Sequence, residues 1–543
     1  MTEPPDIRTR IAAGESVAGM RFGKVDLSGL AAVAADLSGC VFEGTVLIAA
    51  RLERAILDGT RLQNADLSGA DLSGASLRKS FVAASVLRDA KLAGAILADI
   101  SIAATVLAGA ILTGADLSQV IMRGIKAPRL NLGDAKVLVT SFIRSDLEAA
   151  RFSGTQLEGV LFANCVMRDI DFSETRLQRV SFNHCDLRGC TWPLEMNQIA
   201  FQDCIFAGET DALDLGGRKL QSVILSGADL RGANLAGAVF TSCTFNGARF
   251  DGMDLTKTHF LSCLLTEASL RETELSGMEF DSCIMVRADF TDAFLIGTRL
   301  TRCALNESNL QRADLSGALL NRALLDGADI AGWKIEDTTF KGVDFTGVDL
   351  SSMVFDGLSL TACHFRGLDL RGRVFSHCVL TDANFTGADL SGASFPECEL
   401  LRTNFCQANL AGAKLGNARA KAAFFGEANL AGADLTGAML RFATFSEARL
   451  DRTCLDGADL RESIWERASL VGTSLANARM SHAKLTEARL DRAIFTGVDM
   501  TKADLHGAVA TDTDWRGANL HEAKPNDEEL RAAELWEPRR SSR

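Results

Sequence analysis

Large apolar side chains recur at every fifth residue from Leu215 to Leu520, 62 consecutive positions without an insertion. Only Ala420 and Ala510 in this run are small. A second run of 35 positions, Phe22 to Trp192, keeps the spacing in another register, with Ala32 and Ala127 as its small members. A five-residue period fits neither the 3.6-residue turn of an α-helix nor the two-residue alternation of a strand. It requires one tight turn per unit, so the chain is expected to be a solenoid whose units each touch only their neighbours.

The unit reads small, then Asp, Asn or another residue, then Leu or Phe, then polar, then often Gly, as in Ala388-Asp389-Leu390-Ser391-Gly392. We call the Leu or Phe the centre. A small residue two before each centre implies a second side chain pointing into a crowded interior. Gly two after the centre suits a turn with permissive backbone angles. Longer spacings give the coil size. Cys243, Cys263, Cys283 and Cys303 stand 20 apart, as do the centres Phe345, Phe365, Phe385, Phe405, Phe425, Phe445 and Trp465. A 20-residue echo means four units per coil, with like residues stacked at the strand spacing of about 4.8 Å.

The repeated Ala-(Asp/Asn)-Leu pattern resembles that of the pentapeptide repeat proteins, and the resemblance covers about residues 20–522. It implies an all-β fold, a right-handed four-sided β-helix or β-solenoid, here as two rods with short helical caps. It does not imply one activity. Members include gyrase-binding DNA mimics that protect against quinolones, host-directed effectors, and large proteins encoded in type VI secretion clusters.

The expected organisation is an N-terminal cap over 1–19, one solenoid over 20–192, a joint at 193–214, a second solenoid over 215–522, and a helix and tail over 523–543. In the joint, centres fall at Phe201 and Phe206, with steps of 9, 5 and 9 residues from Trp192 to Leu215. One residue then is missing on each side of a short island. Pro193 cannot donate a ladder hydrogen bond. A kink, a rotation or a hinge would each satisfy this break. Open strand edges need caps. Residues 6–13 suit a short helix after Pro4-Pro5. Asn526-Asp527-Glu528-Glu529 opens another, with Leu530, Leu535 and Trp536 on its apolar side and Pro538 at its end. This second helix would cap the solenoid or join two copies of the chain as a homodimer.

Net charge is −13, from 57 basic and 70 acidic residues, which disfavours direct nucleic-acid binding through phosphates. Twelve of the 14 cysteines sit two before a centre, as core-filling thiols rather than a disulfide framework. The first residues lack the basic start and apolar core of a secretory signal. A cytoplasmic protein is expected, with secretion by a signal-independent route left open. Leu92 to Ala115 carries one charge, Asp99, yet the register runs through it as Leu92, Leu97, Ile102, Leu107 and Leu112, so no membrane span is expected.

No catalytic set emerges from the sequence. Asn183-His184-Cys185, Cys363-His364 and Ser376-His377-Cys378 place each Cys inward and each His outward, so neither metal nor cofactor is expected. Gly216-Gly217 lacks the Lys-Ser/Thr of a P-loop. A regular solenoid also lacks the deep pocket of an enzyme, so no enzymatic activity is expected. Three anomalies carry the functional expectations. Ile224, Leu264, Ile284 and Leu324 each precede a centre on one side and form an apolar stripe, a candidate partner-binding surface. The same position holds Phe81, Val86, Ile96, Val106, Ile111 and Ile121, an apolar belt on all sides that could also join two copies. Asp289, Asp329, Asp349, Asp369 and Asp389 form an acidic stripe suited to a cationic partner. Inside, Trp333, Met353 and Arg373 occupy a column meant for small residues, so the coil must widen or turn outward there. The leading expectation is a non-enzymatic scaffold or adaptor for protein partners, with a type VI secretion link suggested by the resemblance alone. The alternative is a DNA-mimicking gyrase or topoisomerase ligand, against which Arg299, Arg449 and Arg489 interrupt the outward acidic pattern.

Overall fold

A computed structural model describes residues 7–202, 204–206, 213–527 and 529. The chain winds as the right-handed, four-sided parallel β-helix that the repeat implies. On one side short strands pair in register at a 20-residue offset, Arg21 with Val41, Val41 with Arg61, and Arg61 with Phe81. The other three sides close mostly through single bridges, for example Asp26–Val46, Ala31–Arg51 and Asp36–Ile56, with short paired strands at Lys136–Leu138 with Gln156–Glu158 and at Phe355–Asp356 with Phe375–Ser376. Five residues per side leave room for only two or three extended residues before the chain must turn. In most coils the turn is made two residues after the centre, in the left-handed region, whether by Gly392 (φ +67°) or by Phe442 (φ +65°). An L-residue there costs roughly 1–2 kcal/mol, which is why Gly recurs at this position. The turn residue's N–H still joins the ladder, from Gly392 to the Ala411 carbonyl at 2.9 Å and from Phe442 to that of Arg461 at 3.0 Å.

Centres and the residues two before them fill the interior. The Phe column stacks nearly parallel, with ring centroids 5.1 Å apart at Phe345–Phe365, 4.9 Å at Phe425–Phe445 and 4.0 Å at Phe445–Trp465. These separations follow the coil spacing. Interior hydroxyls and thiols find a common acceptor, the carbonyl 23 residues earlier: Thr45 donates to Phe22 O at 3.0 Å, Thr155 to Leu132 O at 2.7 Å, and Cys243 to Leu220 O at 3.3 Å. Most polar residues of the right size therefore enter the core satisfied, Ser308 Oγ being an exception.

Contacts divide the chain into two compact units, Met1–Glu274 with Cys283–Ala288, and Leu275–Ser282 with Asp289–Arg543. The first unit opens with the helix Ile7–Ala12, whose Ile7 is buried and whose neighbour Arg8 donates to the Ser28 carbonyl at 2.8 Å. The stretch Leu92 to Leu112 lies in its coils with every centre buried. Among the described residues no helix is long and apolar enough to cross a membrane. The second helix expected from residue 526, with Leu530, Leu535, Trp536 and Pro538, lies outside the described residues.

The break at 193–214 is not where the chain divides. It lies wholly within the first unit, and the ladder runs through it. The strand Glu195–Gln202 pairs with Arg176–Asn183 at an offset of 19 (Phe182 with Phe201) and with the next coil at 24 (Met196 with Leu220, Ala200 with Ile224). Met196 is thus a buried centre, four residues after Trp192. The change is one residue lost before Met196 and four gained between Phe206 and Leu215, in place of the symmetric loss read from the sequence. Residues 203 and 207–212 lie outside the described set. The strand Glu195–Gln202 keeps a constant offset to each neighbouring coil across the change in length.

Next to this splice, Asp186 accepts from Arg168 Nε at 2.6 Å and from Arg188 Nε at 2.7 Å. Together with a backbone N–H these hold its pKa down to about 2, against the cost of partial burial. A carboxylate with a lowered folded pKa stabilises the fold above its unfolded value and loses that contribution as pH falls towards 2. Asp186→Asn should cost on the order of 1–2 kcal/mol at neutral pH and little near pH 2, read from urea unfolding at both. Leu435 is fully buried. Leu435→Asp should cost about 3 kcal/mol or more in the same measurement, because it places a carboxylate among apolar centres.

Candidate functional site

The residue before each centre faces outward, and its chemistry is partly set by the turn it precedes. An Asp or Asn there accepts the backbone N–H two residues on, as in Ser28 N–H to Asp26 at 2.9 Å and Thr386 N–H to Asn384 at 3.0 Å. This local ring supports the turn and explains the recurrence of Asp and Asn in the repeat.

The five stripe carboxylates all make this bond: Asp289 with Thr291, Asp329 with Ala331, Asp349 with Ser351, Asp369 with Arg371 and Asp389 with Ser391. Bridges join Asp289, Asn309 and Asp329 in one column, and Asp369 with Asp389 in another stretch. Asp349, between them, has no bridge on either side. Arg371 donates to Asp369 from Nε at 2.8 Å and holds its carboxyl at about 2, and the same Nε lies 3.9 Å from Asp389. The stripe is therefore interrupted in geometry and partly neutralised in charge.

The apolar stripe divides differently. Ile224, Thr244, Leu264 and Ile284 are consecutive in one bridge column of the first unit. Ile224, Leu264 and Ile284 are 41%, 36% and 41% exposed. Leu324 belongs to the second unit, bridged to Ala304 and Asp344, and is 51% exposed. In the belt, Phe81, Ile111 and Ile121 are exposed, whereas Val86, Ile96 and Val106 are half-buried. Arg61 covers Phe81, its guanidinium carbon 5.3 Å from the ring centroid.

Trp333, Met353 and Arg373 lie in the second unit, where the ladder opens. Trp333 and Met353 are buried. Arg373 is half-buried and its Nη2 donates to the Leu350 carbonyl at 2.6 Å, the same 23-residue reach that Thr and Cys use. Bridges are absent at Asp349 and Val354 towards the preceding coil, while Asp344 keeps its bridges to Leu324 and His364. Val354 is 71% exposed. A cavity of about 390 Å³ lies there, lined by Trp333 to Glu336 and by Ser352, Val354, Asp356 and Leu358. The sequence marked the bulky column but not this opening; Val354, Ile335 and Glu336 looked ordinary in their units.

The Cys–His neighbours do not converge. Cys185, Cys363 and Cys378 are buried, while His184 and His377 are exposed and His364 is half-buried. His377 instead sits 3.1 Å from Asp356. Burial pushes the Cys363 and Cys398 thiols up to about 12, so neither is a ready nucleophile or ligand. Among the described residues no group of three or more His, Cys, Asp or Glu could hold a metal ion.

The model of the pentapeptide repeat region matches residues 233–310 and 338–415. That of pentapeptide repeats (8 copies) matches 26–64, 35–74, 85–124, 155–191, 303–342, 423–462, 453–492, 473–509 and 499–524. The chain belongs to the pentapeptide repeat family. A pentapeptide repeat protein of the Arabidopsis thaliana thylakoid lumen is 30% identical over 20% of this chain and 71% of that one, with a TM-score of 0.16. HetL, involved in heterocyst differentiation regulation in Nostoc sp. strain PCC 7120, is 22% identical over 57% and 88%, TM-score 0.11. QnrB1, a plasmid-mediated fluoroquinolone resistance protein, is 20% identical over 43% and 95%, TM-score 0.16. No curated protein matches the chain.

The stripe's bonding separates a structural from an electrostatic role. Asp389→Asn keeps the turn acceptor and should leave thermal stability unchanged. Asp389→Ala removes it and should cost about 1 kcal/mol, read as a lowered denaturation midpoint.

Proposed function

We propose that this pentapeptide repeat protein is a non-enzymatic scaffold that binds other proteins on the outward sides of its coils. The observation that carries the reading is the Ile224–Leu264–Ile284 column. Three exposed aliphatic side chains sit on one bridge column of a rigid ladder, with only Thr244 between them. Ladder spacing spreads them over roughly 14 Å, enough for one side of a partner helix or strand pair. Burying each fully would contribute roughly 1.5–3 kcal/mol before association costs are subtracted. Leu324 gives the second unit a separate apolar contact of the same kind.

A secretion-system adaptor is one form of this scaffold and rests on the family resemblance. The gyrase reading draws on the same resemblance and on the acidic stripe. The broken column at Asp349 and the Arg371 contacts favour the general scaffold over that reading.

Leu264→Lys with Ile284→Lys should leave the fold intact, since both side chains point outward. The double variant should lose the partners that the wild-type chain retains from its native lysate. If the column instead joins two copies, light scattering will show a dimer become monomer. Unchanged partners together with an unchanged oligomeric state would reject the column as a binding surface.

A further inference from the structure

The ladder opening in the second unit has unused bonding capacity. One coil earlier, Lys334 N–H bonds to the Ala313 carbonyl at 2.9 Å, and Leu315 N–H to the Lys334 carbonyl at 2.7 Å. The equivalent groups one coil on are Val354 N–H and Ile335 N–H, and neither has a partner among the described residues. On the adjoining side, Asp329 N–H bonds to Ser308 O at 2.9 Å and Leu310 N–H to Asp329 O at 2.7 Å, but Asp349 N–H and Ile330 N–H have none. Two facing rows of main-chain donors and acceptors are thus left open on two sides of one coil. Such rows are templates for a further strand. They suit an extended main chain better than a compact small molecule, because donors and acceptors alternate along them.

A second observation points the same way. Trp333 is only 8% exposed, lines the cavity, and has its Nε1 buried with no acceptor. Buried indole N–H groups ordinarily find one. Val354 stands at the lip with most of its side chain bare. The charges at the lips are Lys334, Glu336 and Asp356. Lys334 Nζ lies 3.5 Å from Asp314, so its charge is already answered, and Glu336 has no ion-pair partner among the described residues. The mouth therefore favours a cation.

We infer that the opening between Trp333–Glu336 and Ser352–Leu358 receives an extended peptide segment of another protein, added as a strand along the open ladder. Its carbonyls accept from the Ile335 and Val354 N–H groups. Its inward apolar side chain packs on Trp333, and an outward Lys or Arg side chain meets Glu336, Asp356 being already bonded to His377. The site is independent of the Ile224–Leu264–Ile284 column.

The probe is a fluorescein-labelled Lys-Val-Lys-Val-Lys peptide, with Lys-Pro-Lys-Pro-Lys as the control that keeps charge but removes strand N–H groups. Wild-type protein should bind the first saturably by fluorescence anisotropy and the second at least tenfold more weakly. Hydrogen exchange in the free protein should be faster over 330–337 and 349–356 than over the flanking coils, and should slow when the peptide is bound. Trp333→Ala restores the small residue that Ala313 and Ala393 supply in the same column. It should slow exchange over both segments without peptide and weaken binding tenfold or more. Glu336→Lys, on the exposed lip, should weaken binding severalfold and leave exchange in the free protein unchanged. Leu264→Lys with Ile284→Lys should leave peptide binding unaffected. Any one of three results overturns the proposal: no saturable binding at millimolar peptide, equal binding of the proline control, or free-protein exchange over 330–337 and 349–356 as slow as in the flanking coils.

Discussion

The inter-coil hydrogen bond, made at an offset of 20 residues, is the constraint on which the rest of the molecule depends. Each side has five residues to extend, turn and present one donor and one acceptor to each neighbouring coil. A centre must point inward at a fixed place, or the following carbonyl misses its partner. That is why 62 units pass without an insertion. It is also why the turn residue is left-handed even where it is Phe442 or Glu267 rather than Gly. The ladder bond across each turn offsets the conformational cost that such residues carry.

This constraint separates what the interior and the exterior are free to vary. Inside, the rule is volume plus a donor that can reach the carbonyl 23 residues back. Thr, Ser and Cys obey it by size, and Arg373 obeys it by length, its guanidinium 2.6 Å from the Leu350 carbonyl. Outside, the residue before each centre is held only where Asp or Asn supports the turn. Elsewhere on the faces, ion pairs such as Arg168–Asp186 and Arg312–Asp292 link neighbouring coils. Columns such as Ile224–Thr244–Leu264–Ile284 carry no such turn support and leave aliphatic side chains exposed.

Much of this was legible in the sequence because the period is exposed in the order of residues. The centres, the 20-residue echo, the inward cysteines and the outward histidines all follow from phase alone. Three things did not. Met196 was missed as a centre because it follows Trp192 by four residues, and only the pairing of Asn197 with Gln178 and of Met196 with Leu220 shows its place. The same pairing relocates the expected joint into a continuous ladder, since the hydrogen bonds that decide continuity are between residues 19 or 24 apart. Asp349 shared the phase of the acidic stripe, yet phase does not report whether two coils are in contact. It has no bridge to either neighbouring coil, and Trp333 and Met353 stand in the column of the neighbouring side.

The splice and the opening show that the ladder responds differently to length and to volume. At the splice the residue count changes by one and then by four, and the chain answers with two eight-residue strands that keep their pairing. At the opening the count is a strict 20 and nothing in the register is at fault. Bonds are missing where an indole and a thioether stand in a column otherwise filled by residues such as Ala313 and Ala393. A length error can be taken up outside the paired strands, so the offset stays at 19 from Gln178–Asn197 to Asn183–Gln202 and each N–H keeps a carbonyl to meet. A volume error cannot, because the two coils are held apart at a point and the bonds on the adjoining sides must open. The opening therefore coincides with specific side chains, Trp333 and Met353, rather than with any change in the length of the repeat.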